Sequence, residues 1–430
     1  MNRLLLGILL IWLPFALLAV DELDCGEDKA TQCEQESTSG RPKTKSLAGP
    51  EQVDNRLDID SNQVTPMFST DFAKGYFDWK ARIKKDHGVS LGGDYSTVYL
   101  SASDSPGEDN AFGGMYRFYG SWEASSDGKG NSGALIWKAE HRHAYGSNVA
   151  PGSFGFEVGY IGLFAPPFSD QGTRLTNFYW RQRMKGGNLV FISGFIDVTD
   201  YMDVYMLASP WTGFFNLSFS TGAASIPLPN EGLGLGLGGY LNENFYIIGG
   251  FTDSNSDPHK PADGFETFFD DREYFKHLEF GWNSSRETAF LNNVHLTLWH
   301  ADERVVAATP DGWGANVSWS RSVNDHWIPF IRAGYANDGG ALLEKTISTG
   351  FGYQTVSGGN QLGVAYNWGE PMESSWGPGL KNQQTLEVFY RIQLFKELAI
   401  TPDLQYIKNP ALNPDESSLW VFGLRARLAF

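Results

Sequence analysis

From Gly88 to Phe430 hydrophobic and polar side chains alternate with a period of two, and the alternation is interrupted by turn-forming clusters. In Thr385 to Leu394, Leu386, Val388, Tyr390 and Ile392 share one face, while Thr385, Glu387, Arg391 and Gln393 share the other with Phe389. In Leu398 to Ile407, Leu398, Ile400, Leu404 and Tyr406 oppose Thr401, Asp403 and Gln405. The last stretch sets Trp420, Phe422, Leu424, Ala426, Leu428 and Phe430 against Arg425 and Arg427. Eighteen strand-like stretches can be counted from Val89–Tyr99 to Ser418–Phe430. They are separated by Ser105-Pro106-Gly107, Lys185-Gly186-Gly187-Asn188, Asn337-Asp338-Gly339-Gly340, Ser357-Gly358-Gly359-Asn360 and similar breaks. Just before them, Phe72 to His87 mixes aromatic and basic residues at helical spacing and predicts one short amphipathic helix.

A soluble sandwich has the same period with its apolar face inward, so periodicity alone does not separate it from a membrane barrel. Three features do. Aromatics sit near the ends of the apolar faces, as with Tyr116 and Trp122 or Trp313 and Trp319, in the manner of interfacial girdles. Charges of both signs share the opposite face, which a dry core would accept only at a large desolvation cost. The chain also closes on a strand ending in Phe430, a terminus suited to recognition by the barrel assembly machinery. The expected fold is therefore all-β: a transmembrane antiparallel β-barrel with a short N-terminal helix, in contact with outer-membrane lipid. Even strand numbers and about 20 residues per strand plus turn allow 16 or 18 strands.

The N-terminal text is different. Met1-Asn2-Arg3 is followed by an apolar run from Leu4 to Val20, and then by Asp21-Glu22, which reads as a secretory signal over residues 1–19. Residues 20–66 are polar, acidic and poor in aromatics and are expected to be a flexible periplasmic segment. Residues 67–430 then form the barrel with its helix. No second apolar run approaches the ~18 residues of a membrane-spanning helix, so a membrane form must be a barrel.

Composition agrees. The 430 residues include 49 Gly, 30 Phe, 18 Tyr and 14 Trp, yet the mean hydropathy is only -0.30, as expected of closed sheets with one apolar and one polar face. A net charge of -17 removes the overall footprint that phosphate binding requires, so nucleic acid is not an expected partner. Cys25 and Cys33 are close enough in sequence to pair in an oxidising periplasm, and without CxxC spacing they suggest neither zinc nor redox chemistry.

Several stretches resemble the carbohydrate-selective porins of the OprB family. The resemblance is carried by Thr385-Leu386-Glu387-Val388-Phe389-Tyr390-Arg391, by Thr401-Pro402-Asp403-Leu404-Gln405-Tyr406-Ile407 with Asn409-Pro410, and by Trp420-Val421-Phe422-Gly423-Leu424-Arg425. Gly88-Val89-Ser90-Leu91 with Asp94-Tyr95, and Gly194-Phe195-Ile196-Asp197 with Tyr201, look similar too. The resemblance implies 16 strands, a monomer or homotrimer, and a constriction that favours glucose and related sugars. On that count two of the eighteen stretches, Phe154–Tyr160 and Thr212–Phe219, are inward loops. The acidic segment before Phe68 has no counterpart in it.

A sugar presents hydroxyls and apolar ring faces, so its channel needs charged side chains for bidentate hydrogen bonds and aromatics for stacking. Polar-face candidates are Arg117 and Glu123, then Lys138, Glu140 and Arg142, then Arg181 and Arg183, and finally Glu387, Arg391, Asp403, Arg425 and Arg427. Set against this is a plainer role, in which many of them form ion-pair ladders that stiffen the wall. Arg181 and Arg183 stand out because they lie in an aromatic-rich strand before Asp197–Asp203. Gly234–Gly239 matches GxGxxG but lacks a following helix, and Asp253–Asp257 resembles a calcium loop without its Gly and distal Glu, so no cofactor or metal is expected. His141 and His143 have the outward parity. The function expected is passive diffusion of small hydrophilic solutes, chiefly sugars. An anion-selective or general porin is the nearest alternative, and a lipase-type enzyme, for which no GxSxG occurs, is a more distant one. The chain is too short for a plug and a 22-stranded transporter barrel.

Overall fold

The structure is a computed structural model that describes residues 47–61, 66–68, 73–355 and 359–430. The alternating text folds into sixteen antiparallel strands, each paired with its sequence neighbours, and the sheet closes by pairing the last strand with the first. The strands used below are β1 (Val89–Ala102), β2 (Asn110–Ser126), β3 (Ser132–Ala144), β4 (Gly172–Met184), β5 (Leu189–Ile196), β6 (Gly232–Tyr240), β11 (Trp327–Asp338), β14 (Gln383–Gln393), β15 (Leu398–Lys408) and β16 (Ser418–Ala429). Closure leaves no unpaired edge, the condition for a sheet to span lipid. At the seam Tyr95 stands opposite Leu428 and Val98 opposite Arg425. Helix α1 (Val53–Ser61) and helix α2 (Lys74–His87) precede the barrel.

Side-chain parity sorts the barrel into two faces. On β16 Trp420, Phe422, Leu424 and Leu428 are exposed on the outside, while Arg425 and Arg427 are buried inside. The same outward exposure of Phe118, Phe178, Val317, Ile347 and Leu404 forms an apolar belt around the strands. The GxGxxG text is part of strand β6, paired with its neighbours on both sides.

The two ends differ. At the end that holds α2 and Phe430 the turns are short: Lys185, Gly186 and Gly187 have φ of 52°, 66° and 83° in the turn between β4 and β5. Only glycine adopts such angles without strain, which explains the Gly-Gly pair there. Short turns mark the periplasmic end of a bacterial barrel. At the opposite end residues 145–171 and 197–231 make long loops, and they fold into the lumen. Helix α2 covers the predicted amphipathic stretch and ends at Gly88 (φ 69°), whose N–H donates to the Lys84 carbonyl at 3.0 Å before β1 begins.

Sixteen strands rather than eighteen are explained by those loops. Phe154–Glu157 is one helical turn, and Leu217–Phe219 is a 3-10 turn. A bridge between Phe164 and Asn216 joins the two loops to each other. Their apolar spacing meets the barrel wall instead of a neighbouring strand. Phe154, Phe164, Phe168 and Phe215 pack against Val98 and Leu100 of β1, Ala111 and Met115 of β2, Ile407 of β15 and Leu419 and Val421 of β16. Phe214 and Phe219 pack with Tyr205 against Ile328 and Phe330 of β11 and Phe389 of β14. The inner face thus carries apolar patches under the loops and a further one around Tyr119, Ile136 and Tyr179, together with buried charges, and the hydrophobic core sits inside the barrel.

The segment expected to be loose is also not loose where it is described. Residues 47–61 enter the lumen, and Ala48, Val53, Asn55 and Arg56 are buried there. The signal over residues 1–19 and the pair Cys25 and Cys33 lie outside the described residues.

Candidate functional site: the barrel lumen

Between the two inward loops and the wall lies a cavity of about 540 Å³, within the usual range for small-molecule sites. Glu231, just before β6, accepts from Arg174 of β4 and lies 3.8 Å from Arg142 of β3. Arg142 in turn donates to Glu140 at 2.6 Å. Burial raises the Glu231 carboxyl above its usual range, and Asp197 reinforces this against the pull of Arg174 and Arg142. Apolar surface in the same cavity comes from Phe156 and Trp211, and Gly49, Pro50 and Glu51 form part of its lining from the side of α1. Lys138 lies deeper and donates to Asp200 at 2.8 Å, where Asn177 also donates at 2.8 Å.

A second group of charges binds α1 to the wall. Arg117 of β2 donates to Asp94 of β1 at 2.6 Å and to Glu51 at 2.7 Å, and its guanidinium lies 4.0 Å from the ring centroid of Trp211. Arg427 of β16 bridges Asp60 and Asp94, each at 2.8 Å. The Tyr119 hydroxyl donates to Asp60 at 2.8 Å. Arg181 pairs with Asp54, and Arg183 reaches the same carboxylate at 3.5 Å. Burial alone would raise the Glu51 carboxyl, but Arg117 and then Arg56 overcome it and hold the group at about 2.

A third group pins the loop 197–231. Glu387 of β14 accepts from the backbone N–H of Phe215 at 2.5 Å and of Asn216 at 3.0 Å. Arg425 donates to the carbonyls of Pro210 at 2.7 Å and Gly213 at 2.9 Å, and it stacks on Phe215. Asp403 accepts from Gln405 at 2.9 Å. Arg332 of β11 binds Asp203 and the Ser220 carbonyl and lies over Tyr205. His295 completes the set at 2.9 Å from Asp203. Burial would raise the Asp203 carboxyl; Arg332 and His295 bring it down to about 2.

The candidates chosen from sequence therefore divide by location. Arg142 borders the cavity, and Glu140 pairs with it from behind. Arg117, Arg181, Arg183 and Arg427 face α1, while Glu387, Asp403 and Arg425 lie at the inward loop. Arg391 has the inward parity of Glu387 and makes no ion pair among the described residues. Glu123 is exposed near the periplasmic rim, where its N–H donates to the Gly88 carbonyl at 2.9 Å. Sequence reasoning missed Arg174, Asp94 and Glu231. Asp94 has the inward parity of Ser96 and Val98, so extending the parity rule along β1 would have found it. Arg174 lies beyond an irregularity at Thr176 and Asn177 and is out of phase with Arg181 and Arg183, so the rule would have read it as outward. Nothing in the pattern pointed to Glu51, Asp54 or Asp60, because their segment has no strand period.

The family model described as carbohydrate-selective porin, OprB family, matches residues 80–430. The chain belongs to the OprB family. Its fold is similar to a high-pH structure of Pseudomonas putida OprB, with a TM-score of 0.67 at 12% identity over 83% of this chain and 97% of that one. A low-pH structure of the same protein gives 0.51 at 12% identity over 84% and 98%. No curated protein matches by sequence. As an OprB porin the chain is an outer-membrane barrel that passes small solutes, and the porin family and fold describe a channel rather than an enzyme. Residues 47–61, including α1, precede the part matched by the OprB family.

Proposed function

We propose that this porin passes small neutral sugars by passive diffusion and that the cavity bordered by Arg142, Arg174 and Glu231 is where a sugar is first held. The observation that carries this reading is the pairing, in one cavity of about 540 Å³, of two guanidinium groups and a carboxylate with the aromatic surfaces of Phe156 and Trp211. Fork-shaped donors suit vicinal hydroxyls, and a ring face suits the apolar side of a pyranose. Passage also needs weak holding. Partial solvent contact of Arg142 supports that, since its side chain keeps 11% exposure beside Glu140. In this reading Arg181 and Arg183 act on permeation through α1, and Phe430 serves as the signal for the assembly machinery after export on residues 1–19.

The test is single-channel current in a planar bilayer with and without glucose. Reversible reduction of current by glucose, weakened at least several-fold in R174Q/E231Q, is the expected result. Current indifferent to neutral sugars would favour a general porin. A second reading, an anion-selective pore, is favoured by the arginines of the wall, and a reversal potential set by chloride in a salt gradient would support it.

A further inference from the structure

Helix α1 is a poor helix by its own sequence. VDNRLDIDS offers few strong helix formers over 9 residues, and its last turn carries Asp58 and Asp60 with no basic residue, against the helix dipole. It is nevertheless helical and buried, so its order comes from what it touches. Val53 and Ala48 pack in an apolar cluster with Tyr119, Ile136 and Tyr179 of the wall, and the ionic contacts are Glu51 on Arg117, Asp54 on Arg181 and Arg183, and Asp60 on Arg427. The carboxylates occupy the positions that an acidic solute would take on these guanidinium groups.

We infer that residues 47–61 are a tethered, displaceable ligand of the porin's own basic wall, and that the wall binds carboxylated sugars when the segment leaves. Buried ion pairs fix geometry while contributing little net stability, because desolvation offsets much of the attraction, so a segment held this way docks specifically and can still leave. On leaving it loses its helix, which makes docking an order-to-disorder switch. Arg117, Arg181 and Arg427 then remain with Asp94 as the carboxylate paired to Arg117 and Arg427. That wall is positive and fork-shaped, suited to a sugar carboxylate. The segment lies outside the residues 80–430 matched by the family, while the arginines it covers lie within them. The switch rests on the barrel being a pore, and not on which neutral sugar passes.

The test is a reversible lock. A Cβ placed on Gly49 would lie 3.0 Å from Cβ of Val204 in the inward loop, within a small shift of disulfide geometry. The full-length C25S/C33S/G49C/V204C porin is reconstituted and recorded oxidised and then reduced. Reduction should add openings several-fold larger in conductance, move the reversal potential towards the anion value, and make glucuronate at least ten-fold more effective than glucose in blocking the larger openings. Identical conductance and reversal potential in the two states would overturn the proposal. Failure of the two cysteines to cross-link would overturn the docked position on which it stands. In D54N/D60N, confirmed as assembled by heat-modifiable mobility, the larger openings should dominate without any cross-link, and wild-type behaviour there would also overturn it. Absence of glucose block in the wild-type porin would fall on the sugar-pore reading alone.

Discussion

The loop 197–231 and helix α1 both fill the lumen, and both combine apolar and ionic contacts, but in different proportions. The loop inserts Phe214, Phe215 and Phe219 among apolar wall residues, and its polar backbone is met by Glu387 and Arg425. Helix α1 and the residues just before it set Ala48, Val53 and Leu57 into the apolar cluster around Tyr119 and Tyr179, and carboxylates on arginines hold them as well. Apolar docking is insensitive to pH and gives substantial stability; ionic docking gives register and a dependence on protonation. One barrel therefore carries a fixed constriction and a conditional one side by side.

The largest effect expected from breaking this contrast is at Phe214, buried against Phe219, Phe330 and Phe389. Phe214→Ala should cost about 3 to 5 kcal/mol of loop docking. It should appear as rapid proteolysis within residues 197–231 and as larger, noisier conductance, equally at pH 7 and pH 4. A smaller effect is expected from acid on α1. The Glu51 carboxyl is held at about 2 against an ordinary 4.5, so its contribution is complete above 4.5 and shrinks as pH falls towards 2. Its full loss is on the order of 3 kcal/mol. Conductance should rise between pH 5 and pH 3 in the wild type, whereas Glu51→Gln should already show the acid behaviour at pH 7. The smallest effect is expected at a pair that belongs to neither region. Lys276 and Asp302 are 2.6 Å apart at the surface, with Lys276 exposed and Asp302 half-buried, so Lys276→Gln should shift stability by no more than about 1 kcal/mol and leave conductance unchanged.

Much of the barrel was legible because a period of two leaves its mark on every residue of a strand. The faces of β14, β15 and β16 follow the alternation of Leu386, Leu404 and Leu424 against Glu387, Asp403 and Arg425. The same rule overcounted at Phe154–Tyr160 and Thr212–Phe219, since an inward loop that lays aromatics on a wall produces alternation without a ladder. The charged candidates were found by face but not by role. Parity says that Arg181 points inward; only the tertiary structure brings Asp54 to it. For α1 no pattern existed to read, because its carboxylates look solvated in sequence and become buried through partners more than fifty residues away, as with Glu51 and Arg117.

The seam between β1 and β16 has a consequence for biogenesis. Gly93 and Phe430 exchange both backbone hydrogen bonds, at 2.9 Å and 2.8 Å, so the cylinder is sealed by residues more than three hundred positions apart. Contacts of that separation carry the largest chain-closure entropy and form late. Until they form, β1 and β16 each present a bare edge in the aqueous compartment, where edge pairing between chains leads to aggregation. The final strand is therefore a timer as well as a wall. Everything made before it has to be kept apart from other copies until it arrives, and a chain ending before Ser418 would leave β1 and β15 permanently open.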